Sequence, residues 1–197
     1  VTVIQNALKR AANAGVANDQ SKESVAWFRK NLRKTAINPS RLIREERENL
    51  IGNWRNLGIG KMYQFFYDPK WKNELPYYDQ FPLMIPIHFY EDGPLGINLH
   101  YLPPVLRAKL FDELLAVQNN PKYDDRKRMV ISYGILKGAS KFAPFKPCLK
   151  RYLGKHFRSR FLRIPHEQWV VAAFLPTETF IKATKDTVWS DSRKMLK

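Results

Sequence analysis

Nine positive charges fall between positions 137 and 163 with no acid among them: Lys137, Lys141, Lys146, Lys150, Arg151, Lys155, Arg158, Arg160 and Arg163. A run of this kind can follow a phosphate backbone. Each phosphate it neutralises releases condensed counterions, and the effect accumulates over contacts. Phe142, Phe145, Tyr152, Phe157 and Phe161 are interleaved with the charges. Such rings can stack on unpaired bases, although core packing accounts for them more simply. The same run could instead grip an acidic protein, or be a solvated face over a core. A second basic cluster, Arg29, Lys30, Arg33 and Lys34, lies opposite an apolar helical stripe and is a candidate surface for docking a partner.

Little else in the chain has the makings of catalysis. His88, His100, His156 and His166 show neither HxH nor HxxxH spacing, so core or surface roles suit them better than metal ligation. Asp68, Asp79 and Asp92 sit near Pro or Gly in turn-like contexts, which explains them without acid–base chemistry. There is no Asp…Glu-x-Lys pairing on a strand, no glycine-rich loop ending in Lys-Ser/Thr, and no nucleophile elbow. Cys148 is the only cysteine, which rules out an intramolecular disulfide and a cysteine-built zinc site. The expectation is a non-enzymatic chain with no cofactor, metal or small-molecule substrate.

Charge is distributed unevenly. Of the net +16, residues 1–60 carry +6, residues 61–120 carry −2 and residues 121–197 carry +12. Self-repulsion on this scale destabilises a compact chain and attracts anions, so a polyanionic or acidic partner is expected. A 44% share of hydrophobic residues supplies a core and sets aside disorder throughout. Neither a signal-peptide h-region nor a run of about 18 uncharged apolar residues is present. No membrane role is expected, and the lone cysteine fits a reducing cytoplasm.

These residues must be positioned by an α+β fold. Residues 1–54 read as helical arms. Val3, Ile4, Leu8 and Ala11 recur at helical spacing; Ser21 caps a second helix with Val25, Phe28 and Leu32 on one stripe; Ser40 caps a third, Arg41–Leu50. Dense charge and thin apolar stripes predict that these arms order only against partners. Residues 55–197 read as the core domain. Met62–Tyr67, Leu83–Tyr90 and Leu95–Tyr101 are strand-like, making a small antiparallel sheet or partial barrel, with Pro86 marking an edge or a bulge. A helical C-terminal half follows. Pro103-Pro104 opens a helix whose Arg107, Lys109, Asp112 and Glu113 face water; Leu149–Phe157 forms a basic helix, and Pro176-Thr177-Glu178 opens the last helical stretch.

The middle of the chain carries a resemblance. Gly60-Lys-Met-Tyr-Gln-Phe-Phe-Tyr-Asp-Pro-Lys70, Leu75-Pro-Tyr-Tyr-Asp79, Phe81-Pro-Leu83 and Leu95-Gly-Ile-Asn-Leu-His-Tyr-Leu-Pro-Pro-Val-Leu-Arg107 resemble a virion protein family of large contractile-tailed bacteriophages. Phe174-Leu-Pro-Thr-Glu178 and Val188-Trp-Ser-Asp-Ser-Arg193 are similar to it as well. The resemblance covers about residues 55–195 and leaves residues 1–54 unmatched. It implies a protein of the virion, assembled in the host cytoplasm, that protects or occupies a DNA end at head completion. The partners implied are DNA, held through its backbone without regard to sequence, and other virion proteins. A neck, tail or baseplate subunit whose basic faces meet acidic neighbours is the alternative.

Overall fold

The structure, a computed structural model, describes residues 2–18, 21–141 and 143–194, leaving aside the side chains of Ser140, Lys141, Ala143 and Pro144. Phe142 and the side chain of Lys141, both of interest in the sequence, therefore lie outside the described residues.

Three capped helices open the chain. Helix α1 (Val3–Asn13) starts at Thr2, whose hydroxyl accepts from the Gln5 N–H while the Gln5 side chain accepts from Thr2 N–H. Ser21 caps α2 (Lys22–Asn31), as its position predicts. The third helix, α3 (Pro39–Glu45), begins earlier than expected. Asn38 caps it and Pro39 fills its first turn, where a missing N–H costs nothing.

Six strands form the main sheet: β1 (Leu50–Ile51), β2 (Met62–Gln64), β4 (Leu83–Tyr90), β5 (Gly93–Asn98), β6 (Leu149–Arg151) and β7 (Phe161–Ile164). Their order is β1-β7-β2-β4-β5-β6, antiparallel throughout. A separate pair joins β3 (Tyr78–Asp79) to β8 (Phe180–Ile181). The longest strand, β4, tolerates Pro86 because the register shifts between Pro86 and His88, a bulge that absorbs the missing donor. Gly93 closes the β4–β5 turn at φ 151°, and a Cβ there would collide with the Tyr152 carbonyl. That close approach lets residues 152–154 fold back across the turn.

The sheet buries both faces. Met62, Leu83, Ile85, Ile97, Leu162 and Ile164 belong to the large core that includes the helices. Tyr63, Phe65, Tyr67, Met84, Tyr152 and Phe161 form a second, aromatic core. Helices α4 (Pro104–Gln118), α5 (Asp125–Lys141), α6 (Trp169–Phe174) and α7 (Lys185–Lys194) complete the α+β architecture.

The N-terminal helices do not wait for a partner. Ile4, Ala7, Ala11, Val25, Phe28, Leu32 and Leu42 are buried in the large core, with α1 and α2 packed on α6 and α2 also on α4. Their narrow stripes suffice because the buried α6 segment, Trp169–Phe174, supplies a wholly apolar counter-surface.

Three further expectations are corrected. Residues 149–157 form β6 and a 3-10 turn at Gly154–His156, since Leu149–Arg151 complete the edge of β5. Residues 176–181 run extended into β8, and the last helix starts only at Lys185. Arg107 does not face water. It is 1% exposed, because Glu178 and three backbone carbonyls converge on it from other parts of the chain.

Candidate nucleic-acid interface

The acid and histidine that sequence spacing set apart are brought together. Asp79 Oδ2 lies 2.7 Å from His100 Nδ1, and His100 Nε2 lies 3.1 Å from Thr177 Oγ1. Gln64 Nε2 donates to the same threonine at 2.8 Å. Asp79 also accepts from the Asn98 amide and from the Phe81 and Thr179 N–H groups. Burial pushes its carboxyl upward, but the His100 charge and these hydrogen bonds outweigh burial and hold it below the ordinary carboxylate range. The acid–imidazole–hydroxyl order resembles a nucleophilic triad, yet His100 is 0% and Thr177 2% exposed. A hydroxyl sealed this way has no access to substrate. Its role is to pin β3, the end of β5 and the strand-like 177–179 segment to one another.

Above that network lies a pocket of about 350 Å³. Tyr77, Tyr78, Tyr101 and Trp71 supply rings to its wall, Lys70, Lys150 and Arg151 supply cations, and Asp79 and Asn98 reach its floor. A second concavity of about 700 Å³ adjoins it, sharing Lys70 and Leu153 and adding Trp54, Arg55, Lys155 and His156. The two form one groove. Its hallmark is pairing of cations with rings: Arg55 over Trp54 at 4.5 Å, Lys70 over Trp71 at 4.7 Å and Lys150 over Tyr101 at 3.9 Å; Arg151 lies 4.2 Å from the ring of Tyr90, which lines neither concavity. Gly154 permits the Trp54 indole to lie against the backbone, where any Cβ would clash with it.

Lys150 stands out in this set. Desolvation pushes its ammonium below the ordinary lysine range, and no carboxylate among the described residues lies within ion-pair distance. Arg55, Lys70 and Lys155 likewise lack a carboxylate partner among the described residues. Anions of another molecule can therefore reach them without displacing a resident one. Two acids do line the outer groove, Glu91 and Asp92, and Asp92 is engaged by Arg151.

The nine-charge run is divided by the fold. Lys150, Arg151 and Lys155 line the groove. Arg158 sits beside it, 3.7 Å from Asp68, and Arg160 is exposed in the same loop. Arg163 is exposed on β7, separated from β6 by β2, β4 and β5. Lys137 lies on α5 over the Tyr133 ring, and Lys146 is exposed on the 3-10 turn before β6. Of the interleaved aromatics, Tyr152 and Phe161 are buried in the second core and Phe157 packs against it, while Phe145 packs on the first. Arg29, Lys30, Arg33 and Lys34 stay on the outer side of α2 and just beyond it, Arg29 half-buried and the others exposed.

Sequence reasoning missed Trp54, Arg55, Lys70 and Trp71. Their signal was local: a cation next to a tryptophan, twice, each time outside the long helices and strands. Among the described residues no group of three or more His, Cys, Asp or Glu side chains could hold a metal ion, and no helix is long and apolar enough to cross a membrane.

No curated protein and no solved structure was found to match the chain. A family model described as Phage T4 terminal DNA protecting protein matches residues 2–193. The match takes in the N-terminal helices, which the sequence resemblance did not reach, as well as the sheet that carries the groove. The chain thus belongs to the Phage T4 terminal DNA protecting protein family.

Proposed function

We propose that this chain is a non-enzymatic virion protein that binds the end of the packaged phage genome and shields it, acting when the filled head is completed. The observation that carries the reading is the groove, where three cation–ring pairs line two adjoining concavities and Arg55, Lys70, Lys150 and Lys155 lack carboxylate partners among the described residues. Cations beside rings suit a strand whose phosphates need neutralising and whose bases can stack. Arg158 and Arg160 extend the positive field beside the groove, and the net +16 draws DNA toward it.

Other virion proteins are the second class of partner. Met129 and Val130 stand 61% and 62% exposed on α5, and the charged outer side of α2 is open. Arg29, Lys30, Arg33 and Lys34 would dock an acidic neighbour there, joining the genome end to the head or neck.

Exonuclease protection tests the reading. Linear duplex DNA incubated with the chain should resist a processive double-strand exonuclease. Affinity for duplex should fall with salt at a log–log slope of about −0.9 per phosphate contacted. Neutralising Arg55, Lys70, Lys150 and Lys155 together should make that slope shallower by up to about 3.6 on the same principle. Digestion at an unchanged rate under saturating protein would overturn it, and the basic faces would then belong to contacts between virion proteins alone.

A further inference from the structure

Resting on that reading, we propose that the inner pocket receives one unpaired terminal nucleotide, its base against the Trp71 and Tyr77 rings and its phosphate against Lys70 and Lys150. The chemistry of the wall selects this occupant. Flat rings alone would suit any apolar ligand, and cations alone any anion; together they fit a planar base joined to a phosphate. Trp71 is 58% exposed, with the Lys70 ammonium over its ring at 4.7 Å, which leaves a ring surface open for stacking. Lys150 sits deeper, desolvated and without a carboxylate at ion-pair distance among the described residues, as a phosphate-seeking cation should be.

Size decides how much of the strand enters. A volume of about 350 Å³ falls at the small end of ligand pockets and takes one nucleotide rather than a stacked base pair. An internal base would have to leave its stack on both sides, whereas a frayed terminal base leaves only one. The next concavity, sharing Lys70 and Leu153, gives the following phosphates a continuation past Arg55 and Lys155.

The floor offers little to tell one base from another. Asp79 is filled by four donors, and Asn98 gives its amide to Asp79 while its carbonyl accepts from His100 N–H. Few polar atoms remain to read a base edge, so stacking and charge dominate. Sequence indifference is what a protector of genome ends requires when the terminal sequence varies.

The test compares a linear duplex bearing one unpaired nucleotide at each end with the same sequence as a closed circle, together with free deoxynucleoside monophosphate. The native chain should bind the linear form at least about tenfold more tightly than the circle, a ratio within the range of one base–ring stack. Trp71→Ala and Lys150→Met should each abolish most of that linear-over-circle ratio, and Trp71→Tyr should restore it. Far-UV circular dichroism and a melting temperature close to the native one certify that the variants fold. Retention of end preference by both variants would overturn the pocket assignment and leave end protection standing. Free monophosphate bound as tightly as the DNA end would make this a nucleotide site and overturn terminal insertion. Absence of any binding to either DNA form by the native chain would remove the functional reading itself.

Discussion

Replacing Arg107 with methionine should be among the most damaging single changes in the chain, although a sequence reader would place it on a wet helix face. Its guanidinium lies 2.6 Å from Glu178 Oε1, with side chains 1% and 5% exposed. It also donates to the Leu102 and Ala173 carbonyls at 2.8 and 2.9 Å and reaches His100 O at 3.3 Å. The last carbonyl keeps a second donor, Trp189 Nε1. Arg107→Met therefore strands a buried carboxylate and removes donors from two more carbonyls. Breaking one side of a buried pair costs about 3–5 kcal/mol. For a chain of this length that lowers Tm by roughly 6–20 °C.

Removing both charges should restore much of the loss, since a neutral buried pair owes no ionic desolvation. The Arg107→Met, Glu178→Gln double variant should melt well above the single one. The acid dependence should also weaken. In the native chain burial raises the Glu178 carboxyl, but the Arg107 and His100 charges and its hydrogen bonds together outweigh burial, so its folded value lies below the ordinary range. That contribution is present above an unfolded value of about 4.3 and disappears as pH falls through the folded value. Without Arg107 only the His100 charge and a backbone hydrogen bond still oppose burial, so the folded value rises and the variant loses less stability than the native chain as pH falls. Urea denaturation at pH 7 and pH 4 measures both slopes, and the gap between native and variant should narrow at pH 4. A cost below about 1 kcal/mol, or a gap independent of pH, would refute the reasoning.

Phe28→Ala should destabilise by about 3–5 kcal/mol, because the ring is 0% exposed between α2 and the core. Limited proteolysis of the native chain should correspondingly leave helices α1–α3 attached, and the variant should release them. Asp79→Asn removes a carboxylate held low by His100 and its donors. The native chain gains stability from that group above an unfolded value of about 3.9 and loses it as pH falls through the lower folded one; acid titration of the variant should lack this part of the loss. Cys148 is 0% exposed and burial pushes its thiol up to about 12, so a disulfide reagent should modify it only as fast as the chain opens.

Local chemistry made parts of the fold legible. Ser21 announced its helix because a hydroxyl there satisfies an orphan N–H of the first turn. Pro86 announced a bulge because a central ladder cannot spare its donor. What escaped was built from distant positions. Asp79, His100 and Thr177 meet only after β3, β5 and the segment before β8 converge. Arg107 looked solvated because Glu178, its neutraliser, follows 71 positions later. The Leu149–Phe157 error had a different source. Basic residues spaced through that segment fit a helix as well as a strand, and only the open edge of β5 decides between them. The basic run pointed to the groove through Lys150, Arg151 and Lys155, but half the groove comes from loops at 54–55 and 70–71 that spacing could not join to it.

The position of β7 between β1 and β2 has a consequence for biosynthesis. Leu50 and Met62 are made early, yet the strand that bridges them ends at Ile164. At about 5–20 residues per second, the ribosome needs roughly 6–23 s to travel from the first of these strands to the last. Through that interval the apolar side of β2 and the β4–β5 hairpin has no β7 beside it, and the pairing that completes it is strongly non-local, which slows folding. A nascent chain halted before Ile164 would hold β1 and β2 without the strand between them, and chaperone dependence should concentrate in that window.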